Sequence, residues 1–319
     1  MTNSLKFGVV MDPIASISFK KDTTLALLLA AQAAGHHLYY MEINDLFLDQ
    51  GIAYGMIKEL QVYENENQWF SIGPPSTIPL SALDAILMRK DPPFNNQYIY
   101  ATYILEAAEK EGCVVVNKPQ SLRDCNEKIF ASLFPQCCPP LLVSRNINQL
   151  KQFFQQHHDV IFKPLDGMGG SGIFRCKPGD PNVTVILEML TRHGREFIMG
   201  QKYVPEITEG DKRVLVINGE AIPYCLARIP AQGETRGNLA AGGTGVAKPL
   251  SQRDWWIVNQ VAPTLVQKGL IFVGLDIIGD FLTEINVTSP TCAREIDRAY
   301  NTNIGGKLID SIEKLCAKR

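Results

Sequence analysis

The sequence predicts an α/β fold that opens with a mostly parallel sheet, and two observations carry that expectation. Short apolar, β-branched runs alternate with helical stretches through the first 120 residues, the pattern of a sheet covered on both faces. The rhythm then changes to short strands broken by glycine-rich stretches, the mark of smaller α+β units. The chain has 319 residues, enough for two or three units at roughly 100–200 residues each.

LKFGVVM (5–11) reads as a buried strand. Leu25 to Ala34 reads as a helix ended by Gly35, and HLYYME (37–42) as the next strand. DAILMRK (84–90) is a strand stopped by Asp91-Pro92-Pro93. Tyr98 to Lys110 is helical, and CVVVN (113–117) is a strand ended by Pro119. Ligands of parallel sheets sit beyond the C-terminal strand ends, which singles out Met11-Asp12-Pro13 and Arg89 through Pro93. LLV (141–143), a helix over 147–156, VIFKP (160–164), a glycine loop and IFRCK (173–177) follow, then a helix near 182–192 and REFIMGQKYV (195–204). RVLVI and AIPYCLARI flank the hairpin signal Asn218-Gly219. A glycine-rich stretch (230–245), a helix (255–268), the strands IFVGLDII and FLTEINV and a C-terminal helix complete the chain.

Composition excludes several classes. Lys+Arg number 31 against 33 Asp+Glu, and no basic run offers to neutralise phosphates, so no nucleic-acid or membrane-surface partner is expected. The most apolar helical stretch is ten residues, whereas a membrane span needs about 20. The N-terminus lacks the long apolar core of a signal peptide. Eight scattered cysteines without a C-x-x-C pair read as reduced, mostly buried thiols of a cytoplasmic protein.

Gly167-Met168-Gly169-Gly170-Ser171-Gly172 matches G-x-G-x-x-G, but a strand rather than a helix follows, which speaks against a dinucleotide fingerprint. No Gly-Lys-Ser/Thr closes a P-loop. A glycine loop between strands still brings backbone N–H groups close to a polyphosphate; a plain hairpin turn is the alternative. Lys163 ends the preceding strand. Lys128 opens a helix whose macrodipole it opposes by roughly 0.3–1 kcal/mol, a penalty that a bound phosphate reverses; an exposed lysine is the alternative. Glu284 and Asn286 share a strand face. Asp276 joins them only through a three-residue loop or a bulge, because a simple two-residue Gly279-Asp280 turn would send it to the other face. Three oxygen ligands without His or Cys suit Mg2+ or Mn2+; polar residues on a wet face are the alternative. Ile229 to Gly245, with five glycines and Arg236, reads as a mobile lid or a disordered loop. Paired histidines converge on no metal, and no G-x-S-x-G supports a serine hydrolase.

Longer motifs add a resemblance. VMDPI (10–14), ILMRKDPPF (86–94), NKPQSLRDCNEK (117–128), KPLDGMGGSGIFR (163–175), GDKRVLV (210–216), YCLARIP (224–230), ETRGNLAAGGTG (234–245) and GLDIIGDFLTEINVTSPTC (274–292) together resemble the ATP-grasp superfamily, and within it the prokaryotic glutathione synthetases. The resemblance spans nearly the whole chain. It implies the ATP-grasp fold: an N-terminal parallel Rossmann-like sheet domain (1–123), a central subdomain (124–204) and a C-terminal subdomain (205–319) with a flexible loop at 229–245, the last two clamping ATP. It implies that ATP, γ-glutamylcysteine and glycine give glutathione, ADP and phosphate through an acyl phosphate, in a cytoplasmic homotetramer. By the same resemblance Lys128 and Lys163 hold the ATP phosphates, covered by Gly167, Gly169, Gly170 and Ser171. Gln201, Lys202, Tyr203 and Val204 meet adenine, and Asp211 lies near the ribose. Asp276, Glu284 and Asn286 bind Mg2+ or Mn2+. Arg213, Arg228 and Arg236 neutralise the developing charge. Asp12, Arg89, Lys90, Ser289, Pro290 and Thr291 lie near the peptide substrate. Another carboxylate–amine ligase and a non-catalytic nucleotide sensor remain the rival readings.

Overall fold

The computed structural model describes residues 4–318 other than 168, 235, 236 and 238–241. A seven-stranded sheet comes first, built from β1 (Lys6–Val10), β2 (His37–Met41), β3 (Leu46–Asp49), β4 (Ile52–Val62), β5 (Phe70–Pro79), β6 (Ala85–Met88) and β7 (Val114–Val116). Strands β2, β1, β6 and β7 run parallel, with Val10 between Met41 and Met88. Their side chains are buried because α1 (Thr23–Ala33) and α2 (Asn96–Lys110) cover them. Asp22 and Asn95 cap these helices by accepting from backbone N–H groups of the first turn.

Strands β3, β4 and β5 extend this sheet in antiparallel fashion, an addition to the parallel core expected. In β4 nearly every second residue is buried, the alternation of a strand with one wet face. Strand β5 hides its character behind Pro74 and Pro75, which a strand tolerates at a sheet edge, and β5 pairs with β4 alone.

Two short helices, α3 (Pro119–Asp124) and α4 (Glu127–Ala131), lead to a four-stranded antiparallel sheet in the order β10-β9-β11-β8. Its strands are β8 (Leu141–Ser144), β9 (Val160–Pro164), β10 (Phe174–Cys176) and β11 (Ile198–Lys202). Helices α5 (Ile147–His157) and α6 (Val183–Leu190) bury Leu150, Phe153 and Leu187 against Val160, Phe162 and Ile198.

The third sheet is antiparallel, in the order β14-β13-β12-β15-β16. It contains β12 (Asp211–Ile217), β13 (Glu220–Ile229), β14 (Thr244–Pro249), β15 (Phe272–Ile278) and β16 (Phe281–Asn286). Helix α7 (Gln252–Gln267) covers the face of Val214 and Val216. Helices α8 (Ala293–Tyr300) and α9 (Ile304–Cys316) cover the face of Leu215 and Ile217. Every residue of β12 is buried for that reason. Helix α9 also crosses α1, where a side chain on Gly305 would meet the Ala26 carbonyl oxygen at 2.8 Å. The loop expected over 229–245 is shorter at both ends, since Ile229 pairs with Thr244 and Arg228 with Gly245.

Candidate functional site

Charged side chains alternate across the middle of the third sheet. Asp211 lies beside Arg228 in the β12–β13 register, Arg213 beside Asp276 in β12–β15, and Asp276 beside Glu284 in β15–β16. The turn at Gly279-Asp280 has two residues, and the register slips by one at Thr283, so a bulge brings Asp276 onto the face of Glu284, as expected. Arg213 donates Nε to Asp276 Oδ1 at 2.6 Å and Nη2 to Oδ2 at 3.2 Å. Arg228 Nη2 is shared between Asp211 Oδ2 at 2.6 Å and Asp276 Oδ2 at 2.9 Å.

These contacts set the protonation preferences. Burial opposes ionisation of Asp276, but the Arg213 and Arg228 guanidiniums outweigh it and hold the carboxyl well below the usual range. Asp211 has only its share of Arg228, and burial pushes it up to about 7. Its Oδ1 is buried without a hydrogen-bond partner, as is Gln201 Nε2. Burial likewise resists charge on Glu284, yet Lys128 and Lys163 hold its carboxyl low. Their Nζ atoms stand 3.4 and 3.6 Å from Glu284 Oε1. Burial draws the Lys163 ammonium below its ordinary value, with Glu284 opposing.

Helix α4 ties the sheets together. Asn126 caps it and donates Nδ2 to the Leu165 carbonyl at 3.0 Å. Lys128 Nζ donates to the Gly167 carbonyl at 2.8 Å. Glu127 Oε1 accepts from Val287 N, Thr288 N and Thr288 Oγ1, at 2.9, 3.1 and 2.8 Å.

Two cavities open here. One of about 890 Å³ has apolar walls at Ile161, Ile173, Ile207 and Ile278, and polar groups from Lys128, Lys163, Ser171, Gln201 and Asp211. Gly170, Lys202, Tyr203 and Val204 also line it. The other, about 910 Å³, is lined by Arg213, Arg228, Asn286, Ser289 and Thr291, and by Asp91, Pro92, Glu127, Thr288 and Cys292. Gly167, Gly169, Asp276 and Glu284 belong to both and form their common wall.

The geometry therefore groups the residues expected at a nucleotide, and places Arg213, Arg228, Asn286, Ser289 and Thr291 in the adjoining space. It sets others apart. Arg89 is buried, donates to Thr24 Oγ1 at 3.1 Å and to the Pro290 carbonyl at 2.9 Å, and lines neither large cavity. It pins the first sheet to the 289–291 segment, and Pro290 serves as its partner. Asp12 and Lys90 pair with each other at 2.8 Å, also off both linings. Asp12 instead accepts from the backbone N–H of Asp91, which does line the second cavity. Arg236 lies outside the described residues. Asp91 and Pro92 belong to the Arg89–Pro93 segment expected beyond a strand end, whereas Glu127 and Thr288 carry no such signal. All four lie within the longer motifs, which have no periodicity to separate lining residues from their neighbours.

The donor set at the wall fits a hard divalent cation. Asp276 and Glu284 offer carboxylate oxygens, and Asn286 uses its Nδ2 on the Gly274 carbonyl at 3.3 Å, leaving its amide oxygen as a ligand. No cluster of three His, Cys, Asp or Glu side chains is placed for a metal among the described residues; the Asn286 amide oxygen is a further hard donor beside the two carboxylates. The orphaned Gln201 N–H and Asp211 oxygen fit a polar ligand in the first cavity in the same sense.

Comparison with known proteins follows the same lines. Residues 5–123 match the family model described as prokaryotic glutathione synthetase, N-terminal domain, and residues 127–301 match prokaryotic glutathione synthetase, ATP-grasp domain. The glutathione synthetase of Pseudomonas aeruginosa is 61% identical over 316 residues, covering 99% of this chain and 100% of that protein. That of Vibrio vulnificus is 60% identical over 310 residues, covering 97% and 98%. Among solved structures, the D-cycloserine synthetase DcsG aligns with a TM-score of 0.68 at 12% identity, over 98% of this chain and 99% of that one. The ATP-grasp ligase PsnB, complexed with a minimal precursor, Mg and ADP, aligns at 0.61 and 17% identity, over 98% of each. At such identities the likeness shows the fold. No helix among the described residues is long and apolar enough to cross a membrane.

Proposed function

The chain belongs to the prokaryotic glutathione synthetase family, an ATP-dependent carbon–nitrogen ligase family joining γ-L-glutamyl-L-cysteine to glycine, and from that premise we propose how its two cavities divide the reaction. The observation that carries this division is the wall of Gly167, Gly169, Asp276 and Glu284 common to both.

The first cavity takes ATP. The purine lies between Ile161 and the isoleucines opposite, its edge toward Gln201 to Val204, with Asp211 accepting from the ribose. Lys128 and Lys163 meet the phosphates beneath Gly167, Gly169, Gly170 and Ser171. Asp276, Glu284 and Asn286 hold the divalent cation, Mg2+ or Mn2+, which when bound supplies charge neutralisation at the terminal phosphates.

The second cavity takes the peptide. Its cysteinyl carboxylate oxygen attacks the γ-phosphorus at the common wall, the bond to the β-phosphate oxygen breaks, and an acyl phosphate and ADP result. The glycine amine then attacks the acyl carbon and phosphate leaves. No protein nucleophile is required; positioning and charge carry the rate. Arg213 and Arg228 neutralise the acyl phosphate and the tetrahedral oxygen. Ser289 and Thr291 contact the peptide, while Arg89, Asp12 and Lys90 act on it only through Pro290 and Asp91. The stretch between β13 and β14, with Arg236, serves as the lid that excludes water. We carry over from the family resemblance a homotetramer working in the cytoplasm, and the division at 1–123, 124–204 and 205–319.

Phosphate release is the test, with ATP, Mg2+, γ-glutamylcysteine and glycine, repeated with each omitted and the product weighed by mass spectrometry. Turnover requires all three substrates and yields glutathione. Turnover that yields another conjugate instead would redirect the second cavity to a different acceptor.

A further inference from the structure

Three successive residues of one short segment reach three different parts of the site. Asn126 holds Leu165 at the start of the glycine loop. Lys128 holds Gly167 in that loop and faces Glu284 on β16. Between them, Glu127 reaches the two residues that directly follow β16, Val287 and Thr288, and one carboxylate oxygen takes all three bonds there. Partners about 160 residues apart thus hold the C-terminal part of β16 from the same helix, at Glu284 and just past Asn286. Glu127 makes no ion pair within 4.0 Å among the described contacts, so it bonds through its lone pairs to backbone and hydroxyl donors.

We propose that Glu127 is a positioning residue for this ligase. It fastens helix α4 to the Val287–Thr288 turn, so that Lys128 and the ligand strand Glu284–Asn286 keep one fixed separation. The inference rests on the assignment of Lys128 to nucleotide phosphate. The arrangement needs an acceptor oxygen at this point and not a negative charge. Burial in fact pushes the Glu127 carboxyl up from its ordinary range, despite the Thr288 N–H that favours ionisation. A half-buried carboxylate kept only for its charge would be matched to a cation, and this one is matched to N–H and O–H donors. Misplacing a reacting or binding group by about 1 Å can cost on the order of 100-fold, so the staple acts on chemistry through the groups it holds in place.

The test uses the full chain, with ADP affinity by titration calorimetry in the presence of Mg2+ and steady-state kinetics beside it. Glu127→Ala weakens ADP and lowers kcat about tenfold or more, while KM for glycine changes little. Glu127→Gln, whose amide oxygen can accept the same three bonds, recovers most of both. In a Lys128→Ala background Glu127→Ala weakens ADP no further, because the contact it positions is already gone. If Glu127→Ala lowers the amount of folded protein, Thr288→Val, which removes one of the three donors, gives the same pattern at smaller size. Three results overturn the proposal: Glu127→Ala matching the parent while Lys128→Ala is impaired; Glu127→Gln as impaired as Glu127→Ala, which would make the charge itself the working element; or the Glu127 and Lys128 losses multiplying. An unchanged ADP affinity in Lys128→Ala would identify the phosphate assignment as the failed premise, and the proposal falls with it.

Discussion

Asp276 and Glu284 face each other across the β15–β16 ladder because a single residue, Thr283, bulges out of register between them. Without the bulge, the two-residue turn would put the carboxylates on opposite faces of the sheet. The Thr283 hydroxyl donates to the Asp276 carbonyl at 3.1 Å, bonding the bulged residue back to the strand it faces. Two buried carboxylates side by side would repel. Here Arg213 and Arg228 neutralise one while Lys128 and Lys163 neutralise the other.

Glu284→Gln tests the cation assignment. The amide keeps the shape and removes the charge, so the Mg2+ concentration for half-maximal turnover rises several-fold, and the two lysines lose their counter-ion. A Mg2+ titration that overlays the parent's would remove Glu284 from the ligand set.

Arg213→Ala removes a guanidinium that lines the second cavity, proposed for the peptide, and holds Asp276. Loss of a charge-assisted contact made in the transition state costs about 1.5–3 kcal/mol, which is roughly 10–100-fold in kcat. Arg213→Lys restores little, because one ammonium cannot span both Asp276 oxygens. Unchanged turnover in the alanine variant would take Arg213 out of the mechanism.

Gly274→Ala tests the same arginine without altering its chemistry. A Cβ there would lie 2.8 Å from Arg213 Cδ and 3.0 Å from Pro290 Cβ. Arg213 lines the second cavity and Pro290 lies between its lining residues Ser289 and Thr291, so kcat falls about tenfold while KM for ATP holds. A variant whose ATP KM rises while kcat is preserved would contradict the partition between the cavities.

Asp211→Asn carries a pH signature. Burial raises this carboxyl to about 7 from its ordinary value of 3.8. The folded state therefore binds a proton that the unfolded chain has released between those values, and stability falls as pH rises through that window. The asparagine variant does not titrate, so its melting temperature gains on the parent's from about pH 4 to 7 and levels above. Parallel profiles across pH 4–8 would show that Arg228 keeps Asp211 ionised throughout.

Apolar runs made the parallel strands legible, since a strand covered on both faces has no other composition. Strands β3 to β5 were harder. Residues 52–62 carry a clear alternation, but Gly55 and the Pro74-Pro75 pair resemble loop punctuation until the edge position of β5 explains them. At the site, the carboxylate spacing of β16 and the need for a bulge could be read from alternation alone. Arg89 and Lys90 could not be sorted that way. They are neighbours in one motif, yet one turns inward to Thr24 and Pro290 and the other pairs with Asp12. Glu127 escaped for the converse reason: all its partners are about 160 positions away, beyond any local pattern.

The common wall of Gly167, Gly169, Asp276 and Glu284 also bears on inhibition. Two chambers that share lining residues can be filled by one linked molecule, for which engaging the second chamber becomes an intramolecular event. A short linker corresponds to an effective concentration of order millimolar. Two weak fragments, one shaped for each chamber, would gain avidity when joined across those four residues. The same fragments joined elsewhere would gain nothing. Tether length would thus serve as a ruler for the distance between the chambers.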